Sequence, residues 1–192
     1  MNRRRALQLL AIAFALAGSG RAAAMETWFL AGSHPDSYEI GAKAGAGENK
    51  GAAGYIKPLV ANPPGFGTMM QTFAANDFRS KRVRFSAAVK SEGIAGWAAL
   101  WMRVDGPNNE IQSFDNMSGR PIKGTTAWQR YDVVLDVPGN AYAISIGILL
   151  YGKGIAWIDA AKVEAVPKTV AITAQVPPVQ LSKKPQNLDF AK

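Results

Sequence analysis

The chain has 192 residues, 48% of them hydrophobic, and no cysteine, which allows one domain with a sizeable core and excludes disulfides, thiolate metal sites and a cysteine nucleophile. Its formal charge of +8 reads as a nucleic-acid signal only until it is divided along the sequence. Arg3, Arg4, Arg5 and Arg21 precede the expected processing point with no acidic residue beside them; without these four of the 22 basic residues, 18 face 14 acidic ones, a formal +4 that is interleaved and not clustered, so no nucleic-acid partner is expected.

The first 24 residues have the pattern of a signal peptide. A basic start through Arg5 precedes an apolar stretch from Ala6 to Ala17, then the break Gly18-Ser19-Gly20 and the small residues Ala22 and Ala24 that a signal peptidase accepts. The apolar run is too short to span a bilayer comfortably. The expected mature chain therefore starts at Met25, is periplasmic or secreted, and has no membrane span after cleavage.

From Glu26 onward the dominant signal is alternation with a period of two, in blocks punctuated by Gly, Pro, Asn and Asp, which predicts short strands. They fall at Trp28–Ala31, Tyr38–Ala42, Gly54–Leu59, Thr68–Ala74, Arg82–Lys90, Gly96–Val104, Ile111–Phe114, Gln129–Val137, Ala143–Tyr151 and Ala156–Val166. Turns are expected at Pro63-Pro64-Gly65, Asp105 to Asn109, Pro138-Gly139-Asn140 and Gly152-Lys153-Gly154, where proline presets φ or glycine and asparagine tolerate a positive one. Such a number and spacing of strands predicts a β-sandwich over residues 25–166.

Alternation also assigns faces. Val83, Phe85, Ala87 and Val89, then Tyr131, Val133, Leu135 and Val137, then Ile144, Ile146, Ile148 and Leu150 are the predicted core positions. From Pro167 to Lys192 the pattern gives way to a Pro-rich, weakly basic tail, which is a candidate contact for a protein partner.

The single histidine, His34, lies in the turn-like Gly32-Ser33-His34-Pro35-Asp36 and reads as a solvated loop residue. Paired carboxylates for general acid–base work exist in number, with Asp105, Asp115, Asp132, Asp136 and Asp159 in or beside strands, yet spacing marks out no pair. No catalytic residue and no cofactor follow from the residues alone.

The most informative strand runs Trp97-Ala98-Ala99-Leu100-Trp101-Met102-Arg103-Val104-Asp105. If Ala98, Leu100, Met102 and Val104 face the core, then Trp97, Trp101, Arg103 and Asp105 share the other face. Indole faces pack on the C–H faces of pyranose rings, while a guanidinium and a carboxylate hold hydroxyls by directed hydrogen bonds. Arg84 and Tyr151 are expected to join this ligand face from neighbouring strands, and Gln71 from Gly67–Phe73. The competing reading is that other segments cover the tryptophans and that Arg103 and Asp105 only pair with each other.

Taken in order, Phe66-Gly67-Thr68-Met69-Met70-Gln71, Arg79 to Ser86, Trp128 with Tyr131, and Trp157-Ile158-Asp159 resemble the jelly-roll modules of the carbohydrate-binding, galactose-binding-like class. Trp101 to Gly106 with Ser113 to Met117 and Arg120-Pro121-Ile122 is similar to an uncharacterised bacterial exported domain of that type. The resemblance implies an all-β jelly-roll β-sandwich of two antiparallel sheets and a glycan on a concave face or at loop ends. It also implies a structural calcium held by carboxylates near the chain ends, for which Asp159 stands in the corresponding kind of position, with only Glu26, Asp36 and Glu39 as acidic neighbours near the start. Three functions stay open: a noncatalytic module for a carbohydrate or another small polar ligand, a hydrolase of glycans or esters, and a structural protein-interaction module.

Overall fold

In a computed structural model, residues 27–173 are described; the leader expected at 1–24 and residues 174–192 of the expected tail lie outside the described residues. Nine strands follow in order: β1 Phe29–Gly32, β2 Tyr38–Lys43, β3 Ala53–Pro58, β4 Phe66–Ala74, β5 Arg82–Asp105, β6 Ile111–Asp115, β7 Ile122–Asp136, β8 Ala143–Tyr151 and β9 Ile155–Val166. Among the described residues the only helical pieces are two three-residue 3-10 turns, Pro35–Ser37 and Asn76–Phe78, and no helix is long and apolar enough to cross a membrane.

Every strand pair is antiparallel, and the register shows how two layers form from one chain. The first half of β5, Arg82 to Glu92, lies between β7 and β9, and β9 continues through β3 to the edge strand β2. Its second half, Trp97 to Asp105, lies between β6 and β8, and β8 continues through β4 to β1. The molecule is thus an all-β jelly-roll sandwich with a back layer β2-β3-β9-β5-β7 and a front layer β1-β4-β8-β5-β6. The two predicted strands at Arg82–Lys90 and Gly96–Val104 are one strand of 24 residues.

That strand crosses between layers because it is bent where its sequence allows it. Pairing with β7 slips at Val89/Ser91, Ser91/Ile94 and Ile94/Ala98, and such bulges bend the bulged strand. Gly93 takes φ +60°, a left-handed conformation that glycine adopts without steric penalty. A Cβ at Gly96 would collide with the carbonyl oxygen of Tyr151.

The predicted core faces meet between the layers. Val83, Phe85, Ala87 and Val89 of the back layer, Val133 and Leu135 of β7, and Leu100, Met102, Ile144, Ile148 and Leu150 of the front layer are all buried. Full burial of each large aliphatic or aromatic side chain is worth about 1.5–3 kcal/mol relative to exposure. Glycines set the layer spacing at one end: a Cβ on Gly54 would lie 2.7 Å from Met69 Cε, and one on Gly67 2.5 Å from the Tyr38 ring. The Tyr38 hydroxyl then ties loops together, donating to Gly65 O at 2.9 Å and accepting from Gly152 N at 3.2 Å.

After β9 the chain turns across the start of β5. Arg82 Nη1 donates to the carbonyls of Lys168 at 2.7 Å and Val170 at 2.6 Å. Thr173 N donates to Val134 O at 2.9 Å and Thr173 Oγ1 accepts from Val134 N at 2.8 Å, which adds this segment to the free edge of β7.

Candidate functional site

The outer face of the front layer is built from the alternate residues that the core does not take. Cross-strand register sets them in rows: Phe66, Tyr151 and Trp97; Ala31, Thr68, Leu149 and Ala99; Phe29, Met70, Gly147 and Trp101; and Thr72, Ser145, Arg103 and Phe114. Ala31, Thr68, Ala99, Gly147 and Ser145 keep this face low between its larger side chains, so it is a trough and not a flat sheet. A groove of about 440 Å³ results, with Phe66, Trp97, Trp101 and Phe114 as its aromatic lining, Met70, Leu149, Ala31 and Gly32 filling between them, and Thr68, Arg103 and Asn116 as its polar groups.

Trp101 forms the floor. Its indole reaches across β8 over Gly147, where an added Cβ would lie 2.7 Å from Trp101 Nε1. The indole N–H donates to Thr68 Oγ1 at 2.8 Å, and that hydroxyl donates onward to Ile148 O at 3.1 Å. The ring is therefore locked in place with only 7% of the residue exposed. Trp97 is half-buried at the rim and stacks on Tyr151, with ring centroids 6.5 Å apart and planes 25° from parallel.

Arg103 is the charged member of the groove. Its Nε lies 2.9 and 3.0 Å from the two carboxylate oxygens of Asp105. The two partners differ in exposure, 40% for the Arg103 side chain against 10% for that of Asp105. The acid anchors the base from below, and the guanidinium is the part that lines the groove.

Among the residues predicted to bind ligand, Trp97, Trp101 and Arg103 share the groove, Asp105 sits beneath Arg103, and the half-exposed Tyr151 stands beside Trp97. Arg84 and Gln71 are not brought to it. Arg84 belongs to the half of β5 that lies in the back layer, where it pairs with Glu164 at 2.6 Å in a polar hollow with Ser86, Arg130 and Lys162. Gln71 has the strand parity of Met69 and Phe73, opposite to that of Thr68 and Met70, so it leaves β4 on the side away from the groove.

The remaining chemical candidates lie outside the groove lining, Asp132 in the polar hollow of the back layer with Arg84 and Glu164. Asp159 Oδ2 accepts from Glu48 N at 3.0 Å and Oδ1 from Ala160 N at 2.6 Å, which fastens the loop between β2 and β3. Among the described residues no three His, Asp or Glu side chains gather as a metal site. Asp115 is held by Arg120 at 2.7 Å and by Met117 N at 2.8 Å, and Asp136 by Arg82 at 2.8 Å. His34 Nδ1 lies 3.2 Å from Ser33 Oγ on an exposed turn.

Phe66, Met70, Phe114, Asn116 and Leu149 are groove residues that the reading of the sequence did not single out. One signal for the site was present: Gly147 interrupts the apolar run Ala143–Tyr151 of β8, and a glycine inside a strand marks a close approach of something bulky. Here that group is the Trp101 ring.

No family model matches the chain. It is 42% identical over 167 residues to a Bacillus subtilis (strain 168) protein named as the uncharacterized HTH-type transcriptional regulator YbfP, a match covering 86% of this chain and 57% of that protein. The chain thus spans little more than half the length of this relative, and the described residues contain no helix-turn-helix. Among solved structures, the enzymatically active domain of tailspike protein 4 from bacteriophage CBA120 aligns with a TM-score of 0.58 at 14% identity, over 78% of this chain and 21% of that one. The CBM22-1 and GH10 modules of Clostridium thermocellum xylanase 10B, complexed with xylohexaose, align at 0.54 and 12% identity, over 72% and 26% of the two chains. The C-terminal family 22 carbohydrate-binding module of the same xylanase aligns at 0.52 and 15%, over 78% and 91%. At these identities the likeness is one of fold, the β-sandwich.

Proposed function

We propose that this chain is a noncatalytic binding module, exported through the leader at 1–24 to the periplasm or the medium, which takes a carbohydrate or another small polar ligand in the front-layer groove. The observation that carries this reading is the convergence of Trp97, Trp101 and Arg103 on one open groove with an aromatic floor and rim. A flat apolar surface of this kind packs against the C–H face of a sugar ring, and the guanidinium supplies directed hydrogen bonds. The carbohydrate-binding modules of the same fold add support for that ligand class.

A further observation favours binding over catalysis. Asp105, Asp115 and Asp136 each stand in an ion pair with an arginine, whereas hydrolysis by paired carboxyls needs two of them free to face one substrate.

Trp97→Ala is the variant of choice, since Trp97 sits at the rim while Trp101 is built into the sheet. The purified chain and this variant are titrated with a panel of oligosaccharides, by calorimetry and tryptophan emission, with circular dichroism to verify folding. Saturable binding that weakens at least tenfold in the variant is the expected outcome. Absence of binding across the panel, or binding indifferent to Trp97, overturns the reading.

A further inference from the structure

The groove's hydrogen-bonding inventory is one-sided. The Trp101 indole N–H and the Thr68 hydroxyl are committed to each other and to Ile148 O, and Asn116 Oδ1 accepts from Ser118 N at 3.1 Å. Asp105 is turned to Arg103 Nε and does not line the groove. Asp115, next to Phe114 and Asn116, is 2% exposed in its side chain and bound to Arg120. What is left is mostly donors: among the described residues Nη1 and Nη2 of Arg103 and Nδ2 of Asn116 have no hydrogen-bond partner, and the Arg103 edge, with its Nε anchored, is the charged one.

A guanidinium only donates, and an ionised carboxylate only accepts. A neutral sugar presents hydroxyls that both donate and accept, and for their protons the side chains of this groove leave only the second lone pairs of Asn116 Oδ1 and of the buried Thr68 hydroxyl. A carboxylate instead receives two parallel N–H···O bonds from the planar Nη edge of an arginine whose orientation is already set. The aromatic lining meanwhile suits a ring with one apolar face.

We infer that the groove recognises an acidic sugar, a uronic acid residue whose carboxylate sits on the Nη edge of Arg103 while its ring lies against the tryptophans. The inference rests on the saccharide-binding reading above and narrows it. Asp105 offsets part of the charge of Arg103, so the acid is preferred by a modest factor, on the order of tenfold, about 1.4 kcal/mol.

The test uses the purified chain and matched short oligomers: galacturonic acid against galactose, and glucuronic acid against glucose, titrated by calorimetry at pH 7 in low salt. One acidic oligomer is expected to bind about tenfold more tightly than its neutral counterpart. That preference should vanish in Arg103→Gln, survive in part in Arg103→Lys, and decline in the native protein as pH falls below the carboxylate range of the sugar. Equal or tighter binding of the neutral partner, or a preference that persists in a folded Arg103→Gln, overturns the inference and leaves saccharide binding standing. Binding of none of the four overturns the inference, and absence of binding across the wider panel overturns both.

Discussion

Gly147 is the residue on which the groove floor depends most directly. An alanine there would place its Cβ 2.7 Å from Trp101 Nε1 and 2.6 Å from Met69 O, so the indole must lift and its bond to Thr68 must lengthen or break. Gly147→Ala should destabilise the fold by roughly 1–3 kcal/mol, as overpacking does, with a red-shifted tryptophan emission and weakened ligand binding. Thermal unfolding followed by fluorescence checks both. At this scale the sequence was informative where side-chain chemistry and strand parity coincide. Trp97, Trp101 and Arg103 share the groove because alternation places them on one face. Phe66 and Phe114 were not assigned to the ligand face because they come from β4 and β6 and reach the site through register, which a single strand does not encode. Arg103 and Asp105 pair, as the competing reading held, yet the pairing fixes the guanidinium at the groove and does not withdraw it.

At the scale of elements, β5 decides where everything else goes. Its alternation is continuous on both sides of the glycines, and so the sequence reads as two strands with a break; only the hydrogen bonds to β7, β8 and β9 reveal a single bent strand. That difference explains why Arg84 was expected beside Trp97. Two residues on one strand are neighbours only when the strand stays in one sheet, and Arg84 lies before the bend. Gly96 is the tightest point of the bend. Gly96→Ala sets a Cβ against the backbone oxygen of Tyr151, which no side-chain rearrangement relieves, and a loss of about 3 kcal/mol is expected. Equilibrium urea unfolding measures it, and a loss indistinguishable from zero would mean that the bend can relax.

For the molecule as a whole, ion pairs on the back layer couple stability to acidity. Asp136 is held below the ordinary carboxylate range, mainly by its hydrogen bond to Arg82, and Glu164 likewise by Lys162 and then Arg84. Because the folded values are depressed, the stability these groups contribute is present above the unfolded carboxylate pKa and is lost as pH falls through the folded one. Asp136→Asn should therefore lower the urea midpoint at pH 7, with the gap to the native protein closing as the pH falls toward 3. A gap that stays constant with pH would assign the effect to packing instead. The sandwich class was legible from the strand count and the turns. The seating of residues 167–173 across Arg82 and on β7 was not, because it rests on backbone carbonyls that any sequence supplies.

A strand hydrogen-bonded into both layers has one more consequence, for how the protein comes apart. Neither sheet owns a complete set of strands, since losing β5 from the back layer also removes the partner of β6 and β8 in the front. The layers cannot melt one after the other, and a fragment holding either layer alone would expose the apolar face that the other covers. Loss of the groove and loss of the fold are then the same cooperative event, and any ligand that bound the groove would steady the far sheet together with its own.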